Sequence, residues 1–382
     1  LAYQGINLSE KITTDEGVVS FIERVGCIQY DPLRQTARNA DLVLNNRIEK
    51  YREEQLFSLL YEKRYLFDGW DQNMSIISVN HWPYFARERE LYRNRYLEHE
   101  EEFKIVKTEI LKFLETEEFI CSSDIKNKER VDWYWAPANI VRAVLESMYH
   151  SGELLVHHKQ GTRKYYSLTS RLISQEILNS QDPNIDEDLY NNWQVKRRID
   201  SIGFLWNRSG DGWLGCRLNK NERADSLKRL LDLGQIEELS IDGIDDVFYI
   251  STGNFSHFVN NKITARTSFL APLDNLIWDR KVIQNLFGFS YKWEVYTPSK
   301  ARKYGYYVLP VLYKNSFVAR FEPVFDRKKN ELVIKNWWWE DSCKVSSSIK
   351  KSIDNALKDF MLFLGAKNIC FINNSEKTLN LL

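Results

Sequence analysis

The octapeptides SGELLVHH (151–158) and LGQIEELS (233–240) hold equivalent places in two successive runs, each of which reads as helices followed by a pair of strands. A chain that repeats one supersecondary plan is built as a series of like units rather than around a single continuous core. In the first run, apolar spacing marks a helix over 103–114, Cys121-Ser122-Ser123-Asp124 reads as a helix start, and residues 136–150 carry Ile140, Val141, Val144, Leu145 and Met148 on one face. The segment GELLVHHKQGTRKYYSL then alternates apolar and polar residues about the turn Gln160-Gly161-Thr162, the signature of a hairpin. Helix, helix and basic hairpin is the order of a winged helix-turn-helix domain.

The second run follows the same plan, with helices expected over 187–202 and 222–233 and strands ending at Val247-Phe248-Tyr249-Ile250. The N-terminal part is compatible with it, reading as helix over 16–25 and 54–61 and as a strand pair over 65–77. After about Ala265 the texture changes to short β-rich runs, KWEVYTP, YGYYVLPVLY, SFVARFEPVFD and ELVIKNWWWE, which predict an antiparallel barrel or sandwich closed by a helix over 348–364. Acidic or turn-rich seams at 98–102, 182–188 and 251–256 separate the parts. The expected fold is α+β: three tandem winged helix-turn-helix domains (1–100, 101–180, 181–260), then a C-terminal antiparallel β-barrel with its closing helix (261–382).

Charge narrows the function only locally. Lys plus Arg and Asp plus Glu both number 53, so the net charge does not advertise nucleic acid. Between residues 280 and 320, however, eight Lys or Arg face a single acid, Glu294. Within this segment Arg280, Lys281, Lys300, Arg302 and Lys303 are candidates for phosphate contacts, and Tyr304 and Tyr306 for stacking or groove insertion. A lysine-protected strand edge would produce the same composition. The expected wing adds Lys159, Arg163 and Lys164, although winged helices also bind proteins. His81 reads as a packed loop histidine, and Trp337-Trp338-Trp339 as a largely buried strand.

Five scattered cysteines with no CxxC pair fit reduced thiols in a cytosolic protein, and no metal or cofactor is expected. No apolar run approaches the length of a membrane helix. LAYQGINLSE lacks the build of a signal peptide, and the absence of an initial Met suggests a start slightly upstream.

The most pointed local feature is Ile28-Gln29-Tyr30-Asp31-Pro32, which follows an apolar run. Two-residue spacing aims Gln29 and Asp31 the same way in extended chain. Asp31-Pro32 could simply begin a turn, with Gln29 satisfying a backbone group. Alternatively, Asp31 stabilises a developing cation or takes a proton from water, while Gln29, which cannot titrate, positions by hydrogen bonds. Glycosidic cleavage passes through an oxocarbenium-like state and ordinarily needs a second carboxyl for the leaving group. A cationic N7-alkylpurine leaves as a neutral base and needs none. The residues alone leave both readings open.

Four segments resemble the winged-helix DNA glycosylases of the YcaQ/AlkZ type: IQYDPL with Ala37-Arg38 and LVLNNR; LLYEKRYLFDGW; WYWAPANIVRAVLESMYHSGELLV; and SFLAPLDNLIWDRKVIQNLFGFSYKWEVYTPSKARKYGYYVLPVL. The resemblance covers essentially the whole length. It implies three winged helices curved around duplex DNA, a barrel whose hairpin reaches the DNA, and a catalytic QxQ or QxD signature, here Gln29 and Asp31 as QxD. It further implies a cofactor-free monofunctional glycosylase. Such an enzyme excises bulky N7-alkylguanine adducts, unhooks interstrand crosslinks, and acts as a monomer on alkylated double-stranded DNA, in the cytoplasm or at the nucleoid. Arg38 belongs to the implied DNA-binding set. Where many members carry Ser-His-Tyr after that arginine, this chain has Asn39-Ala40-Asp41, which bears on adduct preference. A non-catalytic winged-helix DNA-binding regulator, or a relative that has lost catalysis, is the competing expectation.

Overall fold

The structure is a computed structural model that describes residues 1–134, 136–254, 257 and 263–373. Trp135 and part of the 251–256 seam lie outside the described residues. Two compact units emerge, one formed by residues 1–56, 70–76 and 187–382 and the other by 57–69 and 77–186. The densest contacts therefore do not follow the four expected segments, and the N-terminal segment contributes to both units.

The first unit opens with α1 (Asp15–Arg24), which starts where the Thr14 hydroxyl accepts from the Gly17 N–H and which buries Val18, Phe21 and Ile22. Strand β1 (Ile28–Gln29) leads through a loop to α2 (Asn39–Asn45) and then α3 (Glu53–Phe57). Beyond these, β2 (Leu66–Asp71) and β3 (Asn73–Ser78) form a tight hairpin. β1 pairs with β3 on one side only, Ile28 opposite Ile76 and Gln29 opposite Ser75, and so forms an edge of the sheet.

In the second unit, α4 (Ala86–Tyr96), α5 (Glu100–Thr116) and α6 (Ile140–His150) precede a hairpin of β6 (Leu154–Gln160) and β7 (Arg163–Leu168), while β4 (Arg130–Val131) pairs with β5 (Ala138–Asn139). Val106, Ile110 and Leu114 of α5 pack with Val141, Val144, Leu145 and Met148 of α6 and with Leu154 and Tyr166 of the hairpin. The helix expected to start at Cys121 does not form. Asp124 accepts from the Cys121 N–H at 2.7 Å as a cap would, but only Ile125 is apolar in the following six residues, so no helical face exists to bury.

Returning to the first unit, α7 (Glu187–Ile202) and α8 (Lys220–Asp232) accompany a sheet of β8 (Leu205–Trp206), β9 (Ile236–Ile241) and β10 (Ile244–Ser251) in the order β8-β10-β9. A capping box between Asn219 and Glu222 sets the start of α8.

The C-terminal part contains β11 (Thr267–Phe269), α9 (Arg280–Phe287), β12 (Leu309–Tyr313), β13 (Ser316–Asp326), β14 (Glu331–Trp339), α10 (Ser347–Leu364) and β15 (Asn368–Phe371). The expected barrel is instead an open five-stranded sheet, β11-β12-β13-β14-β15. Its edges, β11 and β15, span only three and four residues, and β15 joins parallel to β14, so among the described residues nothing closes the circle. Helix α10 covers a face with Ile349, Ile353, Leu357 and Phe360, the last packing on Phe269 and Phe321. Trp337 is buried against Phe321, whereas Trp338 meets Tyr304 edge-on.

Two sequence expectations in this part do not hold. KWEVYTP is a 3-10 turn at Glu294–Tyr296 rather than a strand, and the basic hairpin expected at KARKYGYY is a loop. In KARKYGYY the physical reason is competition for backbone donors: those of Lys303, Tyr304, Gly305 and Tyr306 go to the carboxylates of Glu294 and Glu322 instead of to a neighbouring strand, whereas in KWEVYTP the Thr297 N–H turns back to the Glu294 carbonyl.

Candidate active site and nucleic-acid interface

The open edge of β1 is held by side chains from three other segments. Arg197 Nη2 on α7 donates to the carbonyl of Gly26 at 2.8 Å, Asn275 Nδ2 to Cys27 at 2.9 Å, and Asn39 Nδ2, at the start of α2, to Gln29 at 2.9 Å. An edge strand without such partners would leave buried carbonyls unsatisfied. Each donor is itself anchored. Arg197 Nε binds Asp71 at 2.5 Å, and Arg198 pairs with the same carboxylate. Burial opposes the charge on Asp71, but the two guanidinium groups outweigh it and hold its carboxyl below the ordinary aspartate range. Asn39 also accepts from the Leu273 N–H at 3.0 Å. The loop bearing Leu273 and Asn275 is fixed by Asp274, fully buried in a two-pronged ion pair with Arg47 at 2.8 and 2.9 Å.

On this frame the strand register presents Gln29 and Asp31. The Tyr30 N–H donates to the Met74 carbonyl, extending the pairing past Gln29. Gln29 is buried, and its carboxamide has no hydrogen-bond partner among the described residues. Asp31 is half-buried and accepts from the Leu33 N–H at 2.8 Å, so the turn suggested by Asp-Pro is present. Burial pushes the Asp31 carboxyl above the ordinary aspartate value, and the Leu33 N–H only partly offsets this. Beyond the turn, the Phe325 N–H donates to Gln35 O at 2.9 Å and Arg327 Nη2 to Thr36 O at 2.5 Å, tying the loop to the C-terminal sheet. The buried Tyr307 lies within electrostatic reach of Asp31: burial raises its phenol well above the usual value, and Tyr291 and Asp31 add to the rise.

The departure at 39–41 is structural in character. Asn39 and Asp41 are both buried, and Asp41 accepts from Tyr51 Oη at 2.7 Å and from Arg38 Nε at 2.6 Å. Arg38 also lies 3.6 Å from Glu53, so its charge is engaged by two carboxylates.

Carboxylates also organise the basic loop of the first unit. Glu294 is buried, and its oxygens accept from the backbone N–H groups of Lys303 and Tyr304 at 2.8 Å and of Gly305 at 3.3 Å. Burial opposes its charge, yet these donors hold its carboxyl below the usual glutamate range. Glu322 accepts from the Tyr306 N–H, and Arg302 Nε donates to Thr297 O. Lys281, Lys300 and Lys303 are exposed. Arg302 lies 4.9 Å over the Tyr306 ring, and Tyr304 packs under Arg320 at 4.1 Å. Arg320 is buried and paired with Glu340. Arg280 is largely withdrawn as well, donating to Pro272 O at 2.7 Å and stacking over Tyr291. Composition counted these two arginines as surface charge, and the fold places them inside.

In the second unit, the hairpin leaves Arg163 exposed at its tip. Lys159 is nearly buried in a 2.5 Å ion pair with Asp68, and Lys164, its cross-strand partner, lies over the Tyr149 ring with its pKa lowered by burial and by Lys159. Strand alternation turns this pair inward.

Sequence reading missed Asn39 as a support, along with Asn275, Arg197 and Asp71. Asn275 stands inside the distinctive APLDNLIW block, whereas nothing in the pattern around Arg197 or Asp71 separates them from ordinary surface charges.

The sequence model of a family described as DNA glycosylase AlkZ-like matches residues 22–363. Among solved structures, the Streptomyces sahachiroi DNA glycosylase AlkZ is similar, with a TM-score of 0.62 and 12% identity over 97% of each chain, a likeness that establishes the mixed α+β fold. No helix among the described residues is long and apolar enough to cross a membrane.

Proposed function

Because this chain belongs to the AlkZ-like DNA glycosylase family, we propose that it hydrolyses the N-glycosidic bond of cationic N7-alkylpurines in duplex DNA and, carrying the QxD form of the motif, unhooks interstrand crosslinks. The supporting observation is the pairing of an unengaged Gln29 carboxamide with a half-buried Asp31 on a strand whose backbone three distant side chains immobilise. As the bond between C1′ and the purine nitrogen breaks, its electrons neutralise the cationic base, which leaves without general acid. Asp31 stabilises the positive sugar and takes the proton of the water that adds to C1′, while Gln29 orients that water. No covalent enzyme intermediate is part of this scheme, so the enzyme is monofunctional. The elements of both units are compatible with three tandem winged helices, and the chain is proposed to act as a monomer, with Lys281, Lys300, Lys303 and Arg163 meeting phosphates.

The test is release of base from an N7-alkylguanine duplex, read as alkali-labile sites, by the wild type and by Asp31→Asn. Equal cleavage by both, with DNA binding intact, would remove Asp31 from the chemistry. No cleavage by wild type together with a preferred binding sequence would favour a non-catalytic regulator.

A further inference from the structure

The aromatic residues that composition singled out in the basic loop, Tyr304 and Tyr306, are each covered by a guanidinium. Tyr296 is different. It is 84% exposed, whereas its neighbours Tyr291 and Tyr307 are buried. An aromatic ring held in water on a rigid turn presents an open π-face on which a base can stack.

Three further observations say what that partner is. The turn is stiff: Glu294, two residues before Tyr296, anchors three backbone N–H groups of the loop at 303–305, and Arg302 Nε holds Thr297 O, one residue after it. The surroundings are cationic, since Lys292, Lys300 and Lys303 are exposed on the segments joined by these bonds. The position also relates to Asp31. Trp293 meets Tyr296 edge-on at 5.8 Å and Tyr307 at 6.3 Å, and Tyr307 is the ring in electrostatic reach of Asp31.

We propose that Tyr296 is a stacking wedge that enters the duplex beside the attacked nucleotide and packs against a base exposed there, with the flanking lysines on the adjoining phosphates. This rests on the glycosylase reading of the Gln29 and Asp31 site. A ring two aromatic contacts from the tyrosine within electrostatic reach of Asp31 is well placed to support a disrupted base step, and stacking tolerates any base because each presents a π-face. Tyr296 thereby favours DNA with a vacant or unstacked position over intact duplex, and it helps to retain the abasic product.

The experiment compares a duplex carrying a tetrahydrofuran abasic analogue, with 2-aminopurine next to it, against the same duplex undamaged. Tyr296→Ala is expected to lose about tenfold affinity for the abasic duplex, to lose the binding-induced 2-aminopurine fluorescence change, and to bind undamaged duplex nearly as wild type does. Tyr296→Phe and Tyr296→Trp should retain both signals. Thermal melting verifies folding, which so exposed a side chain should leave unaltered. Unchanged abasic affinity and fluorescence in Tyr296→Ala, or equal losses on both duplexes, would overturn the wedge. Base release by wild type from alkylated duplex is scored separately. If it fails while the Tyr296 signals persist, the glycosylase reading falls and the wedge stands; if it succeeds while those signals are absent, the reverse holds.

Discussion

The side-chain amide of Asn39 donates to the main-chain carbonyl of Gln29 at 2.9 Å and, through its oxygen, accepts from the Leu273 N–H at 3.0 Å. One buried side chain thus joins the strand bearing the QxD pair to the loop that carries Asn275, a second support of the same strand. Replacement by Ala orphans a buried carbonyl and a partly buried N–H. Asn39→Ala should lose about 2 kcal/mol of stability, measured by urea unfolding. Base release at saturating DNA should fall by more than the loss of folded protein explains. Unimpaired turnover per folded molecule would show that Gln29 keeps its geometry without this tie.

Asp31→Asn should abolish most activity while sparing the fold. An asparagine oxygen can still accept from the Leu33 N–H, so the turn survives. Turnover should drop about 100-fold or more. The direction of stability follows from the raised pKa of Asp31. Its charged form is disfavoured in the folded state at neutral pH, and the penalty disappears as pH falls through the raised value, so Asp31→Asn should melt at the same temperature as wild type or slightly above it. In the wild type, activity should decline with acid starting at a higher pH than an exposed aspartate would give. An acid limb at the ordinary aspartate value would contradict burial as the controlling influence.

Salt dependence should separate the basic residues into two classes. Arg163→Ala, Lys300→Ala and Lys303→Ala, at exposed positions, should each reduce the slope of log affinity against log salt by about 1. Lys159→Ala should leave that slope unchanged and instead destabilise the fold, because it strands the buried Asp68 carboxylate. A reduced slope for Lys159→Ala would mean that its ion pair opens on DNA.

Glu294→Gln removes the charge that three backbone N–H groups share. DNA affinity should fall about tenfold as the loop loosens, with turnover at saturating DNA little changed. The same weakening should occur in wild type at low pH. The carboxyl of Glu294 is held below its unfolded value, so its contribution is present at neutral pH and is lost as pH falls through the depressed folded pKa. Affinity identical to wild type would show that Arg302 and Glu322 suffice to order the loop.

Periodicity located the helices with a well-defined buried face, because such a face must repeat at the helical spacing wherever the helix ends up; α4, which buries only Tyr96, carries no such signal. α7 runs over Glu187–Ile202 as expected, and the start of α8 carries its own capping box in Asn219 and Glu222. The QxD pair was equally legible as two polar groups at the edge of an apolar run. Tertiary structure decided what spacing cannot encode: which distant donors reach an unpaired carbonyl, and which charges face inward. Arg280, Arg320 and Lys159 have the same letters as Lys300, Lys303 and Arg163, but a carbonyl, a carboxylate or an aromatic ring brought beside them by the fold engages the first three. The strand expected at KARKYGYY failed for the same reason: its backbone donors had a better competitor in the buried carboxylates of Glu294 and Glu322, and that competition exists only once the chain has folded.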